Sequence, residues 1–317
     1  MRIARSRFLA LALACAACAA PAEKADTSAV AAPAPEATSL RGAPLFPRTM
    51  PSDTRARLDS NLAIARASFD RAPDNADSII WYGRRLAYVE RYQDAIRTFS
   101  DGIARHPGDA RLYRHRGHRY ITVREFDKAI GDLEKAAELV KGVPDSTEPD
   151  GAPNARNIPT STQQGNIWYH LALAYYLKAD YAKSLAAWQE AMKLATNDDT
   201  RVAVSDWTYM TLRKLGRDGE AKTLLASITP RMDIIENTAY YRRLLLYKGQ
   251  FSVDSLLDPA SADELQFVTQ GYGVANWYLT NGDSAKGNAI LDRVLASNYW
   301  AAFGFIAAEA DVARRGR

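Results

Sequence analysis

Few side chains in this sequence are suited to acid–base, nucleophilic or metal chemistry. There are four His, at 106, 115, 118 and 170, and two Cys, at 15 and 18. His115 and His118 lie three residues apart, which on a helix brings both imidazoles within reach of one metal ion. Arg114, Arg116 and Arg119 would repel that cation, and no third ligand stands at a matching spacing. His170 reads as a side-of-helix residue rather than a base. No Cys follows Cys18, which excludes disulfides, thiolate metal sites and Cys nucleophiles from the remaining chain. The sequence has no Gly-x-Ser-x-Gly elbow, no His-Glu-x-x-His pair and no phosphate-cradling Gly loop. Gly271-Tyr-Gly273 falls inside a helical pattern without a preceding strand, so it is not a dinucleotide fingerprint. The expectation is a chain with no catalytic residue, no metal and no cofactor. A glycan-active or metal-dependent envelope enzyme would instead require Asp or Glu converging on the His pair.

The composition, 47% hydrophobic and 25% charged over 317 residues, excludes wholesale disorder and a multispanning membrane protein. Of the 41 Lys and Arg, three (Arg2, Arg5 and Arg7) precede an apolar run from Phe8 to Ala14, and the remaining 38 nearly balance 37 Asp and Glu. Near-neutrality gives no argument for nucleic acid as a partner. The charged start, apolar run and small residues of 1–18 form the pattern of a secretory signal peptide. This segment resembles a bacterial lipoprotein signal, in which Cys18 or Cys15 would be lipidated; cleavage near Ala17-Cys18-Ala19 without lipidation is the alternative. Six prolines between 19 and 51, among Ala, Ser and Thr, suggest a disordered tether. The expected location is the periplasm or an outer-membrane lipid anchor, or otherwise secretion as a soluble protein, with membrane contact only through the N-terminal lipid.

The elements that would position any site repeat. Shifting the sequence by 34 places Pro73 on Pro107, Gly83 on Gly117, Tyr92 on Phe126, and Ala95-Ile96 on Ala129-Ile130. A segment from Gly165 carries Trp168, Leu171, Ala172, Tyr175, Tyr181, Trp188 and Ala191 in the same register, with Ser184 departing from the usual Ala. A period of 34 built from two amphipathic helices resembles the tetratricopeptide (TPR) family. The resemblance places repeats near 76–109, 110–141, 165–198, 202–235 and 268–297, within an array spanning 52–315. Arg55 to Arg71 reads as a lone second helix, and 240–247 and 300–313 as further helices, the last a C-terminal cap. Hairpins that cannot bury their apolar faces alone must stack. The fold class expected is all-α, a right-handed TPR superhelix of antiparallel helix pairs, in place of the two domains that length alone suggests.

In that family the first helices of successive repeats line a concave groove that holds a partner's segment. Carried onto this sequence, the groove takes Arg84 and Tyr88, then Arg111, Arg114 and His118, then Asn166, Tyr169 and Tyr176. It is basic at one end and aromatic at the other, which suits an extended or acidic segment of another protein. Carboxylate-clamp TPRs carry Asn where this chain has Arg84 and His118, so that specificity is not transferred. The same cations could equally be solvated or bridge neighbouring repeats. About 21 residues are inserted at 142–162, where Pro144, Pro149, Pro153 and Pro159 forbid helix. This loop is either an irregular spacer or a cover over the groove, with Asp145, Glu148 and Asp150 at the basic end. The implied function is a non-enzymatic interaction scaffold or adaptor of the bacterial envelope, or a subunit of an outer-membrane or cell-wall assembly complex. On this reading, reversing Arg111 and Arg114 to Glu abolishes partner capture in a pull-down while helicity by circular dichroism is kept. Deleting 144–160 tightens acidic-peptide binding if the loop covers the groove.

Overall fold

The computed structural model describes residues 34–258 and 263–316. The signal peptide, both Cys and residues 19–33 of the expected tether lie outside them. A short hairpin, β1 (Ala37–Thr38) with β2 (Pro44–Leu45), leads into α1 (Ser52–Arg71). The hairpins α2 (Ala76–Tyr88) and α3 (Tyr92–Arg105), α4 (Ala110–Thr122) and α5 (Phe126–Leu139), and α6 (Gln163–Leu177) and α7 (Tyr181–Lys193) follow. A fourth comprises α8 (Asp198–Lys214) and α9 (Asp218–Ala226). Next come α10 (Thr238–Tyr247), the short α11 (Val253–Leu256), a fifth hairpin of α12 (Glu264–Thr280) and α13 (Ser284–Leu295), and α14 (Phe303–Arg314). Successive helices pack on one another from α1 to α9, giving an all-α TPR superhelix.

Each hairpin turns the same way for a local reason. Glu90, Arg124, Ala179, Gly216 and Gly282 all have φ between 62° and 89°, and each is the fifteenth residue of its repeat. The two fainter repeats keep Gly there, where a left-handed backbone is free of side-chain strain. The three clearer ones carry a side chain. The helix starts are closed by Asn75, Asp109, Thr162, Asp180, Asn197 and Asp283, whose side chains accept a first-turn backbone N–H. Within a pair, small residues permit close crossing. A Cβ on Gly83 would lie 2.4 Å from Phe99, and one on Gly117 2.8 Å from Leu133. Phe99, Leu133, Trp188, Leu225 and Leu291, each the twenty-fourth residue of its repeat, are all buried. Ser184 fills its small position by donating its hydroxyl to the Ala172 carbonyl at 2.8 Å.

Two terminal segments depart from expectation. The tether expected over 19–51 does not extend through 34–51, which is pinned to the repeats. Gln93 donates two hydrogen bonds to Glu36, Glu90 binds the Arg48 guanidinium, and Trp300 donates to the Phe46 carbonyl at 2.7 Å. Proline-rich composition disfavours regular structure but does not prevent an extended strip from being held by partners elsewhere in the chain. The helix α14 is likewise no terminal cap. Its residues 304–312 are buried all round, as in a core helix, and it packs on α12, α13 and α6. At its centre Glu309 accepts from Arg124 Nε at 2.8 Å, while the Arg124 Nη2 donates to the Trp300 carbonyl.

Two substitutions at equivalent turn residues separate strain from tie. Ala179→Gly should stabilise the fold by about 1 kcal/mol by relieving the left-handed backbone. Arg124→Gly relieves the same strain yet should cost about 3 kcal/mol, because it leaves Glu309 buried without its partner. Urea unfolding followed by circular dichroism checks both, and destabilisation of equal size at the two positions would contradict this account.

Candidate functional site

The expected groove residues do come together on the first-helix side of α2, α4 and α6, but they do not face open solvent. The 142–162 segment lies across them as a strap. Its first limb begins where Asp145 accepts the Gln164 N–H at 2.9 Å, closing the start of α6. Thr147 then bridges Thr162, and the Glu148 N–H donates to the Ser161 carbonyl. That path delivers the Glu148 carboxylate, 3% exposed, into the basic end of the face. Glu148 Oε2 lies 3.2 Å from the Arg114 guanidinium and accepts from Asn166 at 2.9 Å; Oε1 lies 4.0 Å from Arg84 and 3.9 Å from His115 Nε2. Arg84 and Arg85 also donate to the carbonyls of Pro149 and Gly151. Gly151 is required because a Cβ there would stand 2.0 Å from the Tyr88 hydroxyl. The second limb is tied to the fourth repeat and the segment before α10. Asn197 and Thr200 donate to the Thr160 carbonyl, and Arg156 pairs with Asp233 at 3.0 Å.

Of the two alternatives for this loop, the structure therefore has the cover rather than the spacer. Among its three carboxylates only Glu148 enters the basic cluster. Asp145 closes a helix start, and Asp150 keeps a buried Oδ2 without a partner, its pKa raised chiefly by burial. These tertiary contacts have one sequence signal, a Pro-rich insertion carrying isolated acids between two basic first helices.

The remaining expected groove residues divide. Arg111 bridges repeats, its guanidinium 2.6 Å from both Asp77 and Asp109. Arg114 is buried, and burial lowers its pKa. Reversing it to Glu would set a second carboxylate against Glu148, so the expectation of intact helicity holds for Arg111 alone. Tyr169 stacks edge-on with Trp188 and donates to the Tyr240 hydroxyl at 3.3 Å. Tyr176 is not a groove residue. It is 1% exposed, its hydroxyl sharing a 2.7 Å hydrogen bond with Tyr272 and accepting from Asn276. The helical spacing that aimed Tyr176 at the concave side was correct, but α12 and α14 fill that side here.

His118 and His170 lie tilted at 4.3 Å between ring centroids and pack against Phe303, and His115 stacks on Phe99 with its Nδ1 2.7 Å from Arg114. Burial first, then the neighbouring guanidiniums, push all three imidazoles well below the ordinary His value, so they are neutral near pH 7. Glu148 does approach His115, but its Oε1 stays 3.9 Å from Nε2, its Oε2 is held by Arg114 and Asn166, and the imidazole rings pack against aromatics. Among the described residues no group of three or more His, Cys, Asp or Glu is placed to hold a metal. Also among them, no helix is long and apolar enough to cross a membrane. Sequence reasoning missed Glu90, Arg124 and Glu309. A charged residue at the turn position where other repeats carry Gly was the available sign.

No family model matches the chain. It is 24% identical over 203 residues to an Hsp70-Hsp90 organizing protein of Triticum aestivum, a stretch covering 61% of this chain and 31% of that one. The chain thus spans about a third of that relative's length. Among solved structures, the TPR protein YrrB, described as having an unusual peptide-binding site, aligns at a TM-score of 0.40 and 17% identity, over 73% of this chain and 91% of that one. The C-terminal part of a TPR repeat-containing protein from Cytophaga hutchinsonii aligns at 0.36 and 17% identity, over 70% and 69%. The geometry is sufficient without them. With its helix pairs repeating on a 34-residue period, a left-handed fifteenth residue in every repeat and small residues at the crossings, the described part of this chain has the all-α fold of a tetratricopeptide-repeat superhelix.

Proposed function

We propose that this protein is a non-enzymatic interaction scaffold of the bacterial cell envelope that takes an extended acidic segment of a partner protein on its concave face. The residues that would receive it are Arg84, Tyr88, Arg114, His118 and Asn166, with Arg111 and Tyr169 at the margins. The observation that carries the reading is the Glu148 carboxylate, delivered by an extended stretch of the chain itself and held between Arg114 and Asn166. An acidic side chain on a non-helical segment is the ligand this surface is built to hold, and the strap occupies the place an incoming segment would use. Partner binding is then an exchange of one carboxylate-bearing segment for another. The apparent affinity is lowered by the fraction of molecules in which the strap is closed.

Export and lipid attachment through Cys18 or Cys15 belong to the same proposal, supported by Arg2, Arg5, Arg7 and the apolar run that follows. A lipid at the N-terminus would hold the array at a membrane surface, where assembly complexes of the outer membrane or cell wall gather their subunits.

The exchange is testable in the full chain. Glu148→Gln removes the charge that anchors the strap and should raise the affinity for an acidic partner peptide about tenfold, the worth of one charge-assisted contact. Replacing 144–160 by a short Gly-Ser linker should raise it at least as far. Fluorescence anisotropy with a labelled poly-Glu peptide reads both. A folded Glu148→Gln variant that binds no more tightly than the parent would reject the competition.

A further inference from the structure

The strap does not neutralise the charge it covers. Behind Glu148 lies a cavity of about 120 Å³ bounded by Arg84, Arg114, Arg119, His115 and His118, with Glu148 the one carboxylate among its lining residues. Three guanidiniums therefore surround a space served by a single carboxylate. Arg114 is 7% exposed, and its Nε is enclosed without any hydrogen-bond partner. The Arg119 guanidinium forms no ion pair or hydrogen bond among the described residues, and its compensation comes from the Tyr92 ring, 5.7 Å away, and Tyr88. His118 packs at a tilt against His170 and Phe303, and its N–H has no protein acceptor among the described residues. Enclosed cationic charge without a counter-charge is costly. Its mark is visible at Arg119, whose pKa is lowered to about 10 by burial. Asp150, the next strap carboxylate, does not line the cavity.

We infer that this cavity is a binding site for a small dianionic oxyanion of phosphate size, held by Arg84, Arg114 Nε and Arg119 beneath the closed strap. Guanidiniums pair with such oxygens in a bidentate fashion, and neutral imidazoles each add one donor. The volume admits a tetrahedral anion, since one water's share of liquid is about 30 Å³, but not a stretch of polypeptide. The site shares Arg84, Arg114 and His118 with the surface proposed for the partner but adds Arg119 and is closed over by the strap. It exists only with the strap in place, and its ligand would oppose strap release by bridging the charges that Glu148 leaves unmatched. A chain with no acidic partner would still have this excess charge to balance.

Isothermal titration of the full chain with inorganic phosphate at pH 8, with acetate as the comparison, tests the site. Saturable phosphate binding is expected, about tenfold tighter than acetate because a dianion engages more of the guanidinium donors. Arg119→Gln should weaken phosphate about tenfold through loss of one charged contact. Arg84→Gln, which removes a second guanidinium lining the cavity, should weaken it to a similar degree. Arg97→Gln, an exposed cation paired with Asp94 and absent from the cavity lining, should leave it unchanged. Absence of saturable phosphate binding by the folded chain overturns the inference, as does an affinity that is the same in parent and Arg119→Gln. If Arg119→Gln does not fold, Arg84→Gln decides alone, and unchanged phosphate binding there is equally fatal. Phosphate binding without acidic-peptide capture would reject the partner reading and leave this site standing.

Discussion

The arrangement depends on one buried ion pair. Arg124, on the turn of the second hairpin, meets Glu309, at the middle of the last helix, 185 residues away, with both side chains only 3% exposed. The same carboxylate accepts the Leu40 N–H from the N-terminal hairpin. Three separate parts of the chain are thereby tied at one point. Such a pair is weak evidence for net stability, because desolvation offsets much of the attraction, but it strongly specifies where its two carriers must sit. What it specifies here is that α14 runs along the inner side of the superhelix rather than across its end.

Once α14 lies inside, the concave face is no longer an open trough. Its C-terminal half becomes core, with Tyr176, Tyr272, Asn276 and Asp311 joined by hydrogen bonds in place of solvent. Its N-terminal half keeps Arg84, Arg114 and Arg119, and only the strap brings a carboxylate to them. Buried polar clusters of this kind are costly when incompletely paired and rigid when satisfied. The strap is therefore part of the fold's charge balance, and the chemistry of the groove cannot be separated from the segment that covers it.

Backbone strain is distributed according to the same logic. The fainter repeats use Gly216 and Gly282 at the left-handed turn position and carry no long-range tie there. Glu90 and Arg124 accept a strained conformation at that position, and each uses its side chain to hold a terminal segment, Glu90 on Arg48 and Arg124 on Glu309. Ala179 carries the strain without such a tie. Its side chain is too small to reach a partner, and nothing in the structure explains its presence there.

Much of the architecture was legible in local pattern. Gly83, Gly117, Ala95 and Ala129 recur on a 34-residue period because each hairpin must solve the same crossing problem, and helix ends are marked by side chains that close them. That regularity was enough to place five repeats, the lone helix before them and the inserted loop. Arg84, Tyr88, Arg114, His118 and Asn166 were legible as neighbours for the same reason, since the repeat register puts them on the corresponding faces of successive first helices. The curvature of the array was not legible, nor what fills its hollow side. Residues 34–51 read as a tether because composition reports what a segment can do alone, not which carbonyls elsewhere await it. Tyr176 read as a groove residue because helical spacing sets the direction of a side chain without saying what lies beyond it. The sequence by itself determined the repeating unit, whose contacts lie within a few tens of residues. Only the tertiary structure decided that the array closes on α14 and on its own strap, because those choices rest on single pairs such as Arg124 with Glu309 and Arg114 with Glu148, for which no periodic pattern exists.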